Sequence, residues 1–352
     1  MNKDKQLVAN HQILLGLIAV VLLVGCNASG GDGESTGNAS STNSTNLTNV
    51  LLSNTNADCR QYVGDFFSSV TDVKRSLPFT GQVNFSSSGT KCIIQSNAIP
   101  NHDFNDGSAN FATDVSEQSL DYQMTATPVL SGFTDLSLGT SEAILLNGVK
   151  VDLLAAACYG VGSEPLGQEK IGCGQNQIGN PWRYDPMSPL NNFGTDTHNA
   201  HVQPTGEYHY HGNPVALFEQ ECVGKSASPV IGFAADGYPV YGSCFFDSST
   251  GNVRKAVSSY RLKSGTRQAE AGYTTPVAGN GVVASNSYDG QFRGDWEYVV
   301  ALGDLDQCNG MTVNGQYGYY VTDSFPWMIN CFRGSADASF SGAISVRSHS
   351  HD

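Results

Sequence analysis

The nine cysteines are the feature that most limits how this chain can fold. They are Cys26, Cys59, Cys92, Cys158, Cys173, Cys222, Cys244, Cys308 and Cys331. Cys26 is a candidate for lipid attachment, and without it eight cysteines remain. An even number in an exported chain predicts disulfide bonds. Short loops, each within one stretch of predicted strands, favour Cys59–Cys92, Cys158–Cys173, Cys222–Cys244 and Cys308–Cys331. No pair of these cysteines forms Cys-x-x-Cys, so a thiolate metal site has little support.

The first 26 residues resemble the export signal of a bacterial lipoprotein. Lys3 and Lys5 precede an apolar run over residues 13–24, which is too short to span a bilayer about 30 Å thick but typical of a signal-peptide core. Small residues then lead directly to Cys26, as in a lipobox. Residues 1–25 are therefore predicted to be a signal peptide and Cys26 a lipid anchor. An ordinary secretory signal is the alternative.

The residues after the lipobox and the overall composition predict where the protein is located, where its domain begins and which partners it excludes. Asn27 after the lipobox cysteine resembles an outer-membrane address, so we expect a lipid-anchored protein of the cell envelope whose contact with the membrane is the anchor alone. Residues 26–57 are rich in Asn, Ser, Thr and Gly, which predicts a flexible tether. Residues 58–352 are predicted to form one globular domain. The net charge of −14 excludes general nucleic-acid binding.

The sequence of the globular part predicts mainly short strands. Turn residues are dense, and alternating or β-branched runs occur at 81–85, 91–95, 120–129, 143–149, 207–211, 230–233, 238–241, 296–301 and 317–321. Residues 62–73 have the spacing of one amphipathic helix, and 152–157 predict a short one. The expected fold is mainly β (all-β to α+β), antiparallel and disulfide-stapled, with a few short helices.

Four histidines lie close together around a predicted hairpin. Pro204 suits the first corner of a turn, and Gly206 suits the left-handed position of a three-residue loop. In that register His201 lies opposite His209, and strand alternation places His211 on the same face. Tyr208 and Tyr210 then face the core. A tighter turn would instead pair His198 with His211.

Imidazoles that share one face, with carboxylates nearby, favour Zn, Cu or Ni over Ca or Mg. We therefore expect His201, His209 and His211 to bind one divalent ion, with His102, His198 or Asp196 as a further ligand or a supporting contact. Glu207 and Asp236 are the candidate general bases if the metal activates water. Solvated or hydrogen-bonded histidines are the alternative without metal.

The motif Tyr208–His211, with its sequence Tyr-His-Tyr-His, resembles the signature of the bacterial YHYH domain family. Further matches to that family lie at 99–103, 147–149, 200–204, 234–242, 258–262, 303–310, 325–327 and 331–334. The resemblance covers about residues 95–335. It implies a secreted single domain without an established activity, and it draws attention to His102, Asp196, His201, His209, His211 and Asp236.

Three functions therefore stay open from the sequence. The protein is a lipoprotein that holds a divalent metal, a metal-dependent hydrolase that uses a His-bound, metal-activated water, or a structural or adhesion module of the surface without metal. The arrangement of the histidines separates them. Convergence on an open site beside a carboxylate favours the hydrolase, a closed four-ligand sphere favours storage, and divergent rings favour the structural module.

Overall fold

The computed structural model describes residues 44–222, 224 and 226–342. The predicted signal peptide and Cys26 lie outside the described residues. The described part contains nineteen strands, β1 to β19 in chain order, and short 3-10 helices at Cys59–Tyr62, Gln175–Gln177, Arg293–Asp295 and Ala338–Phe340. Among the described residues, no helix is long and apolar enough to span a membrane.

Two sheets organise the described chain. The first has five strands in the order β1-β2-β3-β4-β5: Thr45–Asn46, Gly64–Asp72, Leu77–Ser88, Lys91–Ser96 and Leu120–Thr125. The second has eight strands in the order β17-β18-β12-β11-β7-β8-β10-β9: Gly310–Val313, Gln316–Tyr320, Pro239–Tyr241, Val230–Ala234, Ala143–Leu145, Lys150–Val151, Tyr208–Tyr210 and Ala200–Val202. Most pairs in the two sheets are antiparallel, and the β1–β2, β8–β10 and β12–β18 pairs are parallel.

The remaining strands form three small ladders. These are β13–β14 (Cys244–Asp247 with Asn252–Lys255), β15–β16 (Tyr260–Leu262 with Trp296–Tyr298) and β6–β19 (Thr134–Asp135 with Cys331–Phe332). The mainly β, antiparallel fold expected from the sequence is confirmed. Each of the nine runs predicted from alternation overlaps a strand.

The main hydrophobic core joins side chains from both large sheets. Phe85 and Ile94 come from the first sheet, and Ile144, Phe233 and Tyr319 come from the second. All five are almost completely buried. The core includes consecutive residues of β7 and β11, so these central strands of the second sheet are buried on both faces.

Four disulfide bonds staple the described chain: Cys59–Cys92, Cys158–Cys173, Cys222–Cys244 and Cys308–Cys331. These are the four sequential pairs. They close loops of 33, 15, 22 and 23 residues. Loops of this size contribute about 3 kcal/mol each in the chain-entropy model.

The helix predicted over residues 62–73 is wrong. This stretch forms the strand β2, which pairs with β3 along its whole length from Gly64 opposite Phe85 to Asp72 opposite Leu77. Burial alternates with a period of two, since Ser68, Val70 and Asp72 are buried. The long partner strand decides the outcome, because tertiary pairing overrides a weak local helical pattern. The short helix predicted at 152–157 is also absent from the described structure.

Residues 44–57, which the sequence assigns to the end of the tether, are attached to the domain. Thr45–Asn46 pairs with β2. The Leu52 amide donates to the carbonyl of Leu217 at 2.8 Å, and the Val230 amide donates to the carbonyl of Asn54 at 2.9 Å. Backbone hydrogen bonds therefore hold this segment to the domain while most of its side chains stay exposed.

Candidate metal centre

The hairpin formed by β9 and β10 has the register that its turn residues predict. Tyr208 pairs with Val202, and His209 pairs with His201. The Gln203 amide donates to the Glu207 carbonyl at 2.9 Å, and the Gly206 amide donates to the Gln203 carbonyl at 2.8 Å. Gly206 has φ +85°, and a Cβ there would approach the backbone oxygen of Asp114 to 2.9 Å, so only glycine fits.

Three imidazoles meet on one face of this hairpin. The Nε2 atoms of His209 and His211 are 3.0 Å apart, and those of His211 and His201 are 2.9 Å apart. His209 is 1% exposed and His211 4%, whereas His201 is half-buried. The described residues contain this one group of three or more His, Cys, Asp or Glu side chains with converging ligand atoms.

Backbone carbonyls orient two of the three rings. The Nδ1 atom of His201 lies 2.5 Å from the Phe193 carbonyl, and the Nδ1 atom of His209 lies 3.2 Å from the Glu207 carbonyl. A carbonyl can only accept, so each Nδ1 carries the proton and each Nε2 presents a lone pair. This outer contact is typical of histidines that ligate metals. The Nδ1 atom of His211 is buried without a partner among the described residues.

Burial and mutual repulsion keep the three rings neutral. Burial is the main cause that lowers the pKa of His201, and it lowers the pKa values of His209 and His211 well below their usual range. His201 lowers both of the latter values further, because two imidazolium charges cannot be neighbours in a buried site. Neutral imidazole is the form that binds a metal.

The spacing of the nitrogens fits a small divalent ion. Two nitrogens that each lie about 2.0–2.1 Å from a metal at a tetrahedral angle are separated by about 3.3–3.4 Å. The observed 2.9 and 3.0 Å separations need an opening of only a few tenths of an ångström. The same contacts also fit an arrangement without metal. In it the single N–H at Nε2 of His211 is shared between the Nε2 lone pairs of His201 and His209. The triad can therefore hold a metal, and it leaves further coordination positions open to other ligands.

Lys150 and two carboxylates lie beside the triad. Lys150 on β8 pairs with His209 in the parallel ladder, so both side chains share a face. Its Nζ atom is 2.9 Å from Asp152 and 3.1 Å from Glu207. Burial works against the charged forms of Lys150 and Asp152, but their attraction outweighs it: the pKa of Lys150 is raised and that of Asp152 is lowered. Burial raises the pKa of Glu207.

Asp152 is the site residue that the sequence analysis missed. Its carboxylate also accepts a hydrogen bond from Gln203 at 3.1 Å, and its charge raises the pKa values of His201 and His211 against the effect of burial. The only local signal is the alternation of Lys150 and Asp152 after the Asn147-Gly148 turn. That alternation places both side chains on one face, but the partner strand is distant in sequence.

His102, His198 and Asp196 do not join the triad. His102 Nε2 lies 2.6 Å from the Tyr210 hydroxyl, and its Nδ1 lies 2.7 Å from the Asp103 carbonyl, so both nitrogens are engaged. His198 stacks on His102 with the ring centroids 3.8 Å apart. Asp196 accepts from the Tyr208 hydroxyl at 2.9 Å. These contacts use the tyrosine side of β10, which is opposite the side of His209.

Asp236 has a structural role, unlike the general base that the sequence suggested. Its Oδ2 atom accepts from the Tyr319 hydroxyl at 2.6 Å and from the amides of Arg333 and Gly334 at 3.1 and 2.9 Å. It lies in the β11–β12 turn, and β7 and β8 separate β11 from β10 in the sheet. Its hydrogen bonds hold the C-terminal segment to the sheet. Glu207, the other candidate base, does lie on the face of the triad.

His102 should make the folded protein less stable in acid. Burial is the main cause that lowers its pKa to about 3, whereas the unfolded chain has a histidine pKa of about 6.5. Between about pH 6.5 and 3 this histidine is protonated in the unfolded chain but not in the folded protein. The free energy of unfolding therefore falls as pH decreases from about 6.5 toward 3. The contribution is about 1.4 kcal/mol per pH unit. Urea unfolding of the metal-free protein should show a shallower decline for His102→Gln; an equal decline would contradict this.

The family comparison covers the segment that contains this site. The YHYH protein family model matches residues 121–334, which is more than half of the chain and includes the hairpin, Lys150 and Asp152. No curated protein and no solved structure matches the chain significantly. The matched segment also contains six of the eight disulfide cysteines. The chain belongs to the YHYH protein family.

Proposed function

We propose that this protein is an exported lipoprotein of the cell envelope that holds one divalent metal ion, Zn or Cu, on His201, His209 and His211. The observation that carries the proposal is the meeting of three Nε2 atoms, two of which belong to rings whose Nδ1 protons are held by backbone carbonyls. Such preorientation reduces the cost of gathering the ligands.

The donor set supports the choice of metal. Neutral imidazole favours Zn and Cu, whereas Ca and Mg prefer oxygen ligands. A bound ion would act as a Lewis acid at its open positions. The chain's own contribution is to orient the rings, to bury them from water and to place Asp152, Glu207 and Lys150 alongside.

Equilibrium dialysis of the purified protein against Zn or Cu, followed by elemental analysis, tests the proposal. We expect about one ion per chain near neutral pH and loss of the ion only at a pH below the usual histidine pKa of about 6.5, because a protonated imidazole cannot ligate and burial lowers the pKa values of all three rings. His102→Gln is the matched control, since that histidine is equally buried but lies on the opposite face of β10. No binding above the background of an unrelated protein would contradict the proposal.

A metal-dependent hydrolase is the second candidate. The observation that favours it is the position of Asp152 and Glu207 beside a three-histidine set, because three protein ligands are typical of catalytic zinc sites. One carboxylate would take a proton from a water in the site while Lys150 holds the other. Asp152→Asn should then remove ester hydrolysis by the metal-loaded protein and leave the metal content unchanged. Equal hydrolysis by both proteins would exclude this role for Asp152.

A structural or adhesion module without metal is the third candidate. In that case the histidines form the proton-sharing arrangement centred on His211. The triple replacement of His201, His209 and His211 by Asn would then change neither metal content nor the effect of Zn on thermal stability. We expect instead that added Zn raises the melting temperature of the wild-type protein and not that of the triple variant.

The lipid anchor has its own test. We expect Cys26→Ser to move the protein from the membrane fraction to the soluble fraction, because several acyl chains hold a protein firmly whereas the polar segment after Cys26 has no affinity for lipid. Metabolic labelling with a fatty-acid analogue should mark the wild-type protein alone. Continued membrane fractionation of the variant would exclude the anchor.

A further inference from the structure

Two arginines differ from the others in how their charge is balanced. The described residues contain eight arginines, and six of them pair with a carboxylate: Arg60, Arg75, Arg254, Arg261, Arg267 and Arg333. Arg183 and Arg293 form no ion pair with any described residue, although the chain has 32 acidic and only 18 basic side chains. Guanidinium groups away from bulk water normally require a counter-charge.

Both unpaired arginines line one cavity of about 310 Å³. Their backbones are neighbours, since the Arg293 amide donates to the Arg183 carbonyl at 2.9 Å. Leu154, Ile178 and Phe325 supply apolar lining. The cavity lies at the low end of the usual range for small-molecule sites, about 300–1,000 Å³, and combines apolar walls with a few polar groups as such sites do.

The polar hydrogens in this cavity are only partly used. Arg183, which is 2% exposed, donates to the carbonyls of Ala155, Cys173 and Gln177. Arg293 donates from Nη2 to Asn330 and stacks over Phe325 at 4.9 Å. Its Nη1 atom is buried and has no partner among the described residues.

Trp296 provides a second N–H donor that has no hydrogen-bond partner among the described residues. Its Nε1 atom is buried without a partner in the described part of the chain, and its ring stacks on Phe325 with the centroids 5.3 Å apart and an interplanar angle of 7°. Arg293 and Trp296 therefore both line the cavity, and each carries one N–H group without a partner among the described residues. Two N–H donors, one of them charged, match an acceptor that carries negative charge.

The carboxylates that attract Arg293 lie outside the lining of the cavity. Asp185 and Glu142 attract Arg293, but each is bound elsewhere: Asp185 accepts from Trp327 Nε1 at 3.0 Å, and Glu142 accepts from the Leu153 amide at 2.9 Å. Burial raises the pKa of Asp185 and raises that of Glu142 well above its usual range. None of the lining side chains is acidic.

We propose that this cavity binds a small organic carboxylate. The anionic group would accept from the free N–H groups of Arg293 and Trp296, with Arg183 adding positive potential, and the apolar body would contact Leu154, Ile178 and Phe325. The lining includes none of the three histidines, so the site is independent of the proposed metal.

Calorimetric titration of the wild-type protein with benzoate tests the charge requirement directly, with benzamide as the neutral analogue of the same shape. We expect benzoate to bind at least about tenfold more tightly than benzamide, because only the carboxylate balances the guanidinium charge. Equal affinity, or no binding of benzoate, would overturn the proposal. Binding of inorganic phosphate without binding of benzoate would overturn the carboxylate assignment as well.

Two variants locate the site. Arg293→Gln should weaken benzoate binding at least about tenfold and leave the binding of zinc unchanged. Arg261→Gln is the matched control, because Arg261 lies on the neighbouring β15–β16 ladder, is solvent-exposed and pairs with Glu297 at 2.8 Å. It should bind benzoate as the wild type does. Unchanged binding by Arg293→Gln, or equal losses in both variants, would place benzoate elsewhere. If Arg293→Gln fails to fold, the benzoate and benzamide comparison still decides.

Discussion

Replacement of His209 by alanine is expected to lower the affinity for Zn at least about 100-fold. Loss of a group that only orients a metal ligand typically costs about 10- to 100-fold in affinity, and loss of the ligand itself should cost more. In the strand ladder His209 lies between His201 on β9 and Lys150 on β8, and its Nε2 atom is 3.0 Å from that of His211. Competition with a chromogenic chelator measures the change, and circular dichroism checks that the variant is folded.

His198→Ala is the control for that experiment. His198 precedes the same hairpin, but its ring stacks on His102 on the far side of β10. We expect it to retain wild-type affinity for Zn. If His198→Ala weakened binding as much as His209→Ala, the ligand set would differ from the triad. If neither variant changed it, the ion would lie elsewhere.

Removal of the Asp295 carboxylate is expected to cost about 3–5 kcal/mol of the free energy of unfolding. Asp295 and Arg267 have fully buried side chains and meet through two hydrogen bonds of 2.8 Å. Asp295 also accepts from the amides of Gly290 and Phe292. Asp295→Ala would leave those amides unpaired and the guanidinium with Asp289 as its remaining carboxylate partner. Urea unfolding under non-reducing conditions measures the loss.

Glu297→Ala is the matched control for Asp295→Ala. It removes a carboxylate from the Arg261 ion pair, whose side chains are 59% and 39% exposed. Exposed pairs of this kind contribute about 0–1 kcal/mol, so the variant should unfold almost as the wild type does. Similar losses of unfolding free energy in the two variants would show that burial does not determine how much these ion pairs contribute to stability.

The parts of this structure that the sequence predicts correctly depend on local chemistry. Pro204 and Gly206 define the turn, and the turn determines which residue lies opposite His209. The fold class follows from the same kind of signal, because alternating runs separated by turn residues mark the individual strands.

The parts that the sequence does not predict depend on pairing between distant segments. The parallel contact of β8 with β10 places Lys150 beside His209 and Asp152 near His211, and no turn or local pattern specifies it. The pairing of β2 with β3 likewise turns a helical pattern into a strand. The position of a single residue such as His102 is not predictable either. His102 contacts β10 from a segment about a hundred residues away, and its own sequence does not show which face of β10 it meets.

X-ray absorption spectroscopy of the Zn-loaded protein at neutral pH tests the central claim most directly, because it reports the atoms bound to the ion. The structure predicts three nitrogen neighbours at about 2.0–2.1 Å with the outer-shell scattering of three imidazole rings, and no sulfur. The His209→Ala protein should lose the signal of bound zinc. A first shell of oxygen alone, a sulfur neighbour at about 2.3 Å, or fewer than three imidazoles in the wild-type protein would contradict a site built on His201, His209 and His211.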